Sequence, residues 1–274
     1  MFFIANHPIY NHPLPEGHRF PMLKYELLPK QLLHEGTAEC TDFYSPDSID
    51  LSLVHAVHTV SYVKALTELT LDAKAVRSIG FPLSAALVER ELRIAQGTVV
   101  GCNHALEHGI AFNIAGGTHH AFSDRGEAFC LLNDQAIAAQ YLIDQKKCHK
   151  ILIVDLDVHQ GNGTAEIFQN NADVITFSMH GQSNYPFRKE TSDYDIALPD
   201  KTDDTTYLSI LQETLPELLN IHRPDFVFYL AGVDILGTDK LGKLGCTLEG
   251  CKTRDSYVLG LCKSLGIPVQ VSMG

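Results

Sequence analysis

The sequence predicts one α/β domain in which a parallel sheet carries helices on both faces. The chain has 274 residues, of which 45% are hydrophobic and 20% charged, which is typical of a globular domain with a large core. Its apolar runs are short and continuous rather than alternating, and this favours strands that are buried on both sides, as in a parallel sheet. Helical patterns lie between several of these runs, and no repeat or linker divides the chain.

The predicted strands are apolar runs that end in polar residues or glycine: 1–5, 150–155, 173–178, 225–231 and 267–272. The predicted helices occupy four stretches: 84–108, 133–147, 204–220 and 247–265. The last helix opens with Thr247 and Glu249, and Gly266 ends it before the final strand. In sheets of this kind the functional residues collect beyond the carboxyl ends of the strands, so the polar residues there are the candidates for chemistry.

Composition excludes some classes of function. Lys and Arg total 21 against 33 Asp and Glu, a net charge of −12, and a protein this acidic is expected to bind nucleic acid poorly. The seven cysteines are scattered without a CxxC pair, which indicates reduced thiols. No run of 18 apolar residues predicts a membrane span, and the first residues lack the basic segment of a signal peptide. We therefore expect a soluble cytoplasmic protein.

Metal-binding residue types follow two of the predicted strands, and a histidine pair follows another apolar segment. Strand 150–155 leads into Asp155, Asp157 and His159 at alternate positions, which places them on one face of an extended chain. Strand 225–231 is followed by Asp234, and the apolar segment 110–115 by the pair His119-His120. Two carboxylates and one imidazole can fill three corners of a zinc tetrahedron and leave the fourth for water or substrate.

Each of these features alone has an ordinary structural explanation. An aspartate at a strand end is often a helix N-cap, and a histidine pair in a loop is often a hydrogen-bonded structural element. Three strand ends that each offer ligand-type residues, with glycines beside them, favour a functional site instead.

Four segments of the sequence resemble the signature blocks of the zinc-dependent histone deacetylase superfamily. They are GGTHHA at 116–121, FCLLND at 129–134, DLDVHQGNG at 155–163 and AGVD at 231–234. The segments 12–22, 123–126 and 180–186 most resemble the class IV branch and its bacterial relatives. The resemblance runs from about residue 6 to residue 274 in the family's order. It implies a single-domain arginase/deacetylase fold with a central parallel sheet of about eight strands.

The resemblance also implies roles for individual residues. The zinc ligands of the family match Asp157, His159 and Asp234, which implies one Zn²⁺ per chain. The tandem histidines match His119 and His120, of which His120 is the implied general base and later general acid.

The partners of the tandem histidines are also implied. Asp155 matches the carboxylate that hydrogen-bonds His119, and Asn162 occupies the position that orients His120. Many relatives have Asp at this position, and a neutral amide should leave His120 less basic than a carboxylate would.

The remaining implied site residues surround the metal. The substrate tunnel matches Phe129, Gly117 and Gly232, and Arg19 matches a residue of an inner cavity below the metal. Relatives have Gly where Ala128 precedes Phe129, so the tunnel wall is expected to differ slightly. A monovalent-cation site, commonly occupied by K⁺, matches five residues: Asp155, Asp157, His159, Ser178 and Met179.

The implied activity is hydrolysis of the amide that joins an acetyl or longer acyl group to a lysine side chain. The family supplies a second oxyanion donor from a tyrosine that directly follows a glycine-rich turn. Residues 269–274 look like the strand and first glycine of that turn, and we expect the natural chain to continue with Gly and Tyr.

Other readings of the sequence stay open or can be set aside. His104-Ala-Leu-Glu-His108 spells the metalloprotease motif HxxEH, but no third ligand can be assigned to it. A two-metal ureohydrolase would require a carboxylate where Leu236 stands. Two alternatives stay open: a deacetylase of acylpolyamines or other small amides, and an acyl-lysine binding module with weak or no turnover.

Overall fold

The computed structural model describes residues 2–274, and these build one sheet of eight parallel strands in the order β2-β1-β3-β8-β7-β4-β5-β6. The strands are β1 (Ile4–Ala5), β2 (Phe43–Tyr44), β3 (Ile110–Asn113), β4 (Ile151–Asp155), β5 (Val174–Gly181), β6 (Tyr194–Leu198), β7 (Phe226–Leu230) and β8 (Val269–Ser272). The predicted parallel sheet of about eight strands is therefore confirmed.

Nine α-helices connect the strands within the described part of the chain. They are α1 (Lys24–His34), α2 (Leu51–His55), α3 (Val60–Thr67), α4 (Ala73–Ile79), α5 (Ala85–His108), α6 (Asp134–Asp144), α7 (Asn162–Phe168), α8 (Asp204–His222) and α9 (Leu248–Leu265). The longest, α5, begins where the Ser84 side chain accepts a hydrogen bond from the Leu87 backbone, and ends at Gly109 with a φ of 94°.

The central strands are buried on both faces, as the continuous apolar runs predicted. Along β4, Ile151 and Ile153 belong to one hydrophobic cluster, whereas Leu152 and Val154 belong to a second. The first cluster contains the apolar faces of α5 and α6, and the second contains those of α8 and α9. Because successive side chains of a strand point to opposite faces, the sheet separates two cores and carries helices on both sides.

The predicted elements occur in the structure with small shifts at their ends. The predicted strand 173–178 extends to Gly181, and the predicted helix 133–147 ends at Asp144. Of the predicted strand 1–5, only Ile4–Ala5 is a strand, and residue 1 lies outside the described residues. Strand β6 was not predicted, because its alternating half-buried pattern differs from the continuous runs of the central strands.

Two predictions about the chain as a whole can be compared with the structure. All seven cysteines are free thiols, and all but Cys40 are buried. Among the described residues, no helix combines the length and the apolar character that crossing a membrane requires.

Candidate active site

The candidate site lies at the carboxyl ends of the central strands. β4 ends at Asp155, and the segment 156–161 leads from it into α7, which begins at Asn162. The loop after β7 carries Asp234, and the loop after β3 carries His119 and His120. All of these strands are parallel, so their carboxyl ends share one edge of the sheet and the loops converge there.

Asp157, His159 and Asp234 form the one group among the described residues that could hold a metal ion. One potential ligand atom from each residue lies within 4.8 Å of the other two. His159 Nδ1 is 2.9 Å from Asp157 Oδ1 and 3.1 Å from Asp234 Oδ2. Imidazole and carboxylate groups are donors that Zn²⁺ accepts, and a site with three protein ligands leaves a fourth position open for water or substrate.

The charges of this group are strongly coupled. Burial alone would lower the pKa of His159, but its hydrogen bonds and charge interactions with Asp157 and Asp234 outweigh burial and raise that pKa. Burial and the neighbouring charge of Asp157 raise the pKa of Asp234 to about 6. Two carboxylates held this close repel each other, and a positive charge placed between them relieves the repulsion. The electrostatics therefore favour a bound cation.

His119 is held by Asp155. Its Nδ1–H donates to Asp155 Oδ2 over 2.7 Å, and its Nε2 faces the ligand group, 4.0 Å from Asp157 Oδ1. Burial alone would lower the pKa of His119, but the charge of Asp155 and this hydrogen bond raise it above the ordinary value. The arrangement favours a protonated, cationic His119 beside the acidic ligands.

His120 has a different partner and a different protonation state. Its Nδ1–H donates to Asn162 Oδ1 over 2.6 Å. Burial, followed by repulsion from His119 and His159, holds the pKa of His120 well below its ordinary value, and the Asn162 hydrogen bond only partly compensates. At neutral pH His120 is therefore uncharged, with Nε2 available to accept a proton. Neighbouring groups whose pKa values are pushed apart are typical of acid–base pairs in catalysis.

Glycines allow the backbone to approach the ligand group closely. A Cβ added to Gly232 would lie 2.5 Å from Asp157 Oδ2, and one added to Gly242 would overlap the Asp234 carbonyl oxygen. The family resemblance implies that Gly232 belongs to the substrate tunnel, and in the structure Gly232 lies against the Asp157 carboxylate. Both glycines thus pack directly against residues of the ligand group.

A cavity of about 540 Å³ opens onto this group. It is lined by Gly117, Phe129 and Arg19 in addition to the two histidines of the pair. The Arg19 side chain is exposed, and its guanidinium lies 4.9 Å from the centre of the Phe129 ring. Two of the candidate ligands, Asp157 and His159, also line the cavity.

The wall of the cavity contains a strained turn at Ala128 and Phe129. Both residues have positive φ values, 42° and 70°. Their backbone N–H groups donate to the carbonyls of Ser78 and Ile79, and these bonds hold the turn in place. The left-handed conformation is costly for residues with a Cβ, so tertiary contacts must maintain it.

Three residues of the site received no role from the sequence. The Tyr185 ring packs edge-on against His120 with centroids 4.9 Å apart, and its hydroxyl donates to Glu127 over 2.6 Å. Asp134 accepts the backbone N–H groups of Gly117 and Thr118 at 2.9 Å and so shapes the loop before the histidine pair. Asp134 stands inside the FCLLND block, which is the one signal that could have identified it.

Arg254 is the third such residue, and it joins the ends of two strands. Its buried guanidinium donates to the carbonyls of Leu156, Gly232 and Ala231 at 3.1, 2.7 and 3.3 Å. These carbonyls adjoin the loops that carry the candidate ligands. An arginine on a helix 20 residues beyond Asp234 offers no sequence signal of such a contact.

The residues assigned to a monovalent cation adjoin the ligand group. Asp155 and Ser178 are register partners on β4 and β5, and Met179 follows within β5. The Ser178 hydroxyl lies 3.0 Å from His180 Nδ1, and both residues are buried.

The HxxEH segment has no metal-site geometry in the described chain. His104 and His108 lie at the end of α5 with ring centroids 4.3 Å apart, and no third ligand accompanies them. The Glu107 side chain is exposed. The segment is the last turn of a helix.

Comparisons with known proteins agree with this architecture. An uncharacterized protein of Picosynechococcus sp. is 47% identical over 273 residues, which cover 100% of this chain and 91% of the relative. Histone deacetylase 2 of Arabidopsis thaliana is 28% identical over 263 residues, covering 92% of this chain and 67% of the relative. The crystal structure of an HDAC homologue from Aquifex aeolicus is similar to this chain, with a TM-score of 0.86 and 22% sequence identity. The match covers 100% of this chain and 78% of the homologue. The histone deacetylase domain matches residues 18–274, and this chain therefore belongs to the histone deacetylase domain family.

Proposed function

We propose that this protein is a zinc-dependent amidohydrolase that removes acetyl or longer acyl groups from lysine side chains. The observation that carries the proposal is the convergence of a three-residue metal-ligand group with two histidines of opposite protonation preference at one cavity. Membership of the histone deacetylase domain family supports the same reaction class.

The donor chemistry fits zinc better than the harder divalent cations. Asp157, His159 and Asp234 would hold the ion, and an imidazole nitrogen among the donors disfavours Mg²⁺ and Ca²⁺, which prefer oxygen. When bound, Zn²⁺ supplies a Lewis acid that polarises the acyl carbonyl and acidifies water.

His120 is the proposed general base. Its Nε2 accepts the proton of the attacking water and later donates it to the leaving lysine amine. Asn162 holds Nδ1–H and so keeps the ring in the tautomer whose Nε2 is a free acceptor. The Tyr185 ring, packed edge-on against the imidazole, restricts its rotation.

His119 is the proposed electrostatic partner. Asp155 stabilises its cationic form, so a positive charge faces the oxyanion that develops during attack. Phe129 and Gly117 are proposed to flank the methylene chain of the lysine. The backbone near Asp155 and Ser178 is proposed to bind a monovalent cation, commonly K⁺, which would stabilise the loop of the ligands.

The test is hydrolysis of acetyl-lysine and long-chain acyl-lysine peptides by zinc-loaded protein. We expect release of the acyl group that a chelator abolishes and added Zn²⁺ restores. An acylated polyamine serves as the competing small-amide substrate. Faster hydrolysis of the polyamine than of every peptide would contradict the lysine assignment, and binding of acyl peptides without release would favour the non-catalytic alternative.

A further inference from the structure

Phe187 is an exposed apolar side chain next to the candidate active site. Its exposure is 91%, compared with 65% for Val60 and 62% for Leu248, two other exposed apolar residues. A large aromatic ring in water is unfavourable, and burying it against a partner contributes binding free energy. Single exposed apolar residues are common on protein surfaces, so the position and the rigidity of Phe187 decide its interpretation.

Phe187 lies at the rim of the cavity of the candidate active site. Phe187 and Leu241 both line the cavity that contains His120 and His159, and Leu241 is 44% exposed. Both side chains therefore belong to the part of the cavity wall that reaches solvent. A polypeptide that inserts an acyl-lysine into this cavity must lay its neighbouring residues over the rim.

The loop that carries Phe187 is held from within. Lys189 Nζ donates to the carbonyls of Asn184 and Pro186 at 2.6 and 2.7 Å, and so bridges the residues around Phe187. The Asn184 side chain donates to the Leu241 carbonyl over 2.9 Å, which joins the two loops that carry the apolar rim residues.

The same loop is also held from outside. The Tyr185 hydroxyl donates to Glu127 over 2.6 Å, and Lys243 Nζ donates to the Ser183 carbonyl over 3.0 Å. A loop that is already held by hydrogen bonds on both sides loses little conformational entropy when a partner binds. Phe187 is thus presented on a preformed surface.

We propose that Phe187 and Leu241 form a docking site for a bulky apolar side chain adjacent to the acyl-lysine of a polypeptide substrate. The inference rests on the proposed function and narrows it to polypeptides with an apolar residue beside the modified lysine. An acylated small amine has no neighbouring residues to place on Phe187 and Leu241, whereas the backbone of a polypeptide crosses the rim.

The experiment uses three acetyl-lysine peptides that differ only in the residues flanking the lysine, which are Leu, Ser or Asp. We expect kcat/KM for the Leu peptide to exceed that of the Ser peptide by about tenfold, the contribution of one partly buried apolar side chain. Phe187→Ser and Leu241→Ser should reduce this ratio toward one, chiefly by raising KM for the Leu peptide. Leu265→Ser is the matched control, because Leu265 is 55% exposed at the end of α9, which leads into the amino end of β8. The candidate site lies at the carboxyl ends of the strands.

Direct binding of the same peptides, followed by fluorescence anisotropy, separates this inference from the proposed function. If no peptide is hydrolysed, the proposed function fails, and the affinity ratio of the Leu and Ser peptides still tests the docking site. Equal values for the Leu and Ser peptides, or a ratio that Phe187→Ser leaves unchanged, would overturn the docking site. A preference for the Asp peptide would overturn it too, since it would assign recognition to cations of the rim such as Lys243.

Discussion

Gly232→Ala is expected to weaken zinc binding without preventing folding. The added Cβ would lie 2.5 Å from Asp157 Oδ2 and 3.0 Å from Asp157 Cα, whereas ordinary van der Waals contact begins at 3.4 Å. The carboxylate, or the loop that carries it, must therefore move by roughly 1 Å. Gly232 is not in a left-handed conformation, so the predicted effect comes from this contact alone.

The size of the effect follows from the tolerance of metal coordination. Ligand distances in protein sites lie within about 0.2 Å of their ideal values, so a displacement of roughly 1 Å removes Asp157 from its position. Changes in groups that merely orient a ligand reduce metal affinity by about 10- to 100-fold. Because the ligand itself is displaced here, we expect an affinity at least about 100-fold weaker.

The assay is competition for Zn²⁺ with a chromophoric chelator, together with urea unfolding of the metal-free protein. Gly260→Ala is the matched control, since Gly260 lies in α9 and no heavy atom of another part of the chain lies within 4 Å of its added Cβ. This control should leave zinc affinity unchanged and raise the free energy of unfolding by up to about 1 kcal/mol, the helix propensity difference between Ala and Gly. Unchanged zinc affinity in folded Gly232→Ala would refute both the steric reasoning and the assignment of Asp157 as a ligand.

Four further predictions concern individual side chains. His120→Ala should abolish turnover while zinc stays bound, and retained activity would refute the base assignment. Asn162→Asp should raise the pKa of His120 and shift the acidic limb of the kcat/KM profile to higher pH, because a carboxylate stabilises the imidazolium. Ala128→Gly should stabilise the protein by up to about 1 kcal/mol in urea unfolding, since glycine adopts the φ of 42° without strain; a loss of stability would contradict this. Burial lowers the pKa of His58 from 6.5 to about 4, so the unfolded state binds more protons between these values. The free energy of unfolding should therefore fall by up to about 3 kcal/mol as the pH drops through this window, and His58→Gln should show a weaker dependence.

The sequence was most informative where burial is continuous. The strands β4 and β7 are buried along their whole length and appear as nearly continuous apolar runs that need no knowledge of their neighbours. The strands β5 and β8 are also fully buried, but their runs contain polar residues such as Thr176 and Gln270. The helices on either side have caps with local signals, such as Ser84 before α5 and Thr247 before α9. Short strands at the edge of the sheet, such as β2, carry two residues and have no pattern of their own.

The sequence predicted the candidate ligands from strand alternation, but in the structure a turn beyond the strand brings them together. Strand alternation was expected to align Asp155, Asp157 and His159, but β4 ends at Asp155. Beyond the strand, local bonds shape the segment: the backbone N–H of Asp157 donates to Asp155 Oδ1, and that of His159 donates to Asp157 Oδ1. The residue types and their spacing were sufficient to identify the group, whereas the turn that brings them together was not predicted.

By itself, the sequence determined the fold class, the central strands, the principal helices and the residue types of the site, because these depend on local periodicity and on motifs within a few residues. Only the tertiary structure decided that Tyr185 packs on His120, that Arg254 joins the ends of β4 and β7, and that Phe187 stands at the rim. These contacts join residues that are 22 to 98 positions apart or depend on three loops meeting at one edge of the sheet. These long-range contacts depend on how the two hydrophobic cores pack against the sheet between them. A local pattern of side chains does not predict that packing.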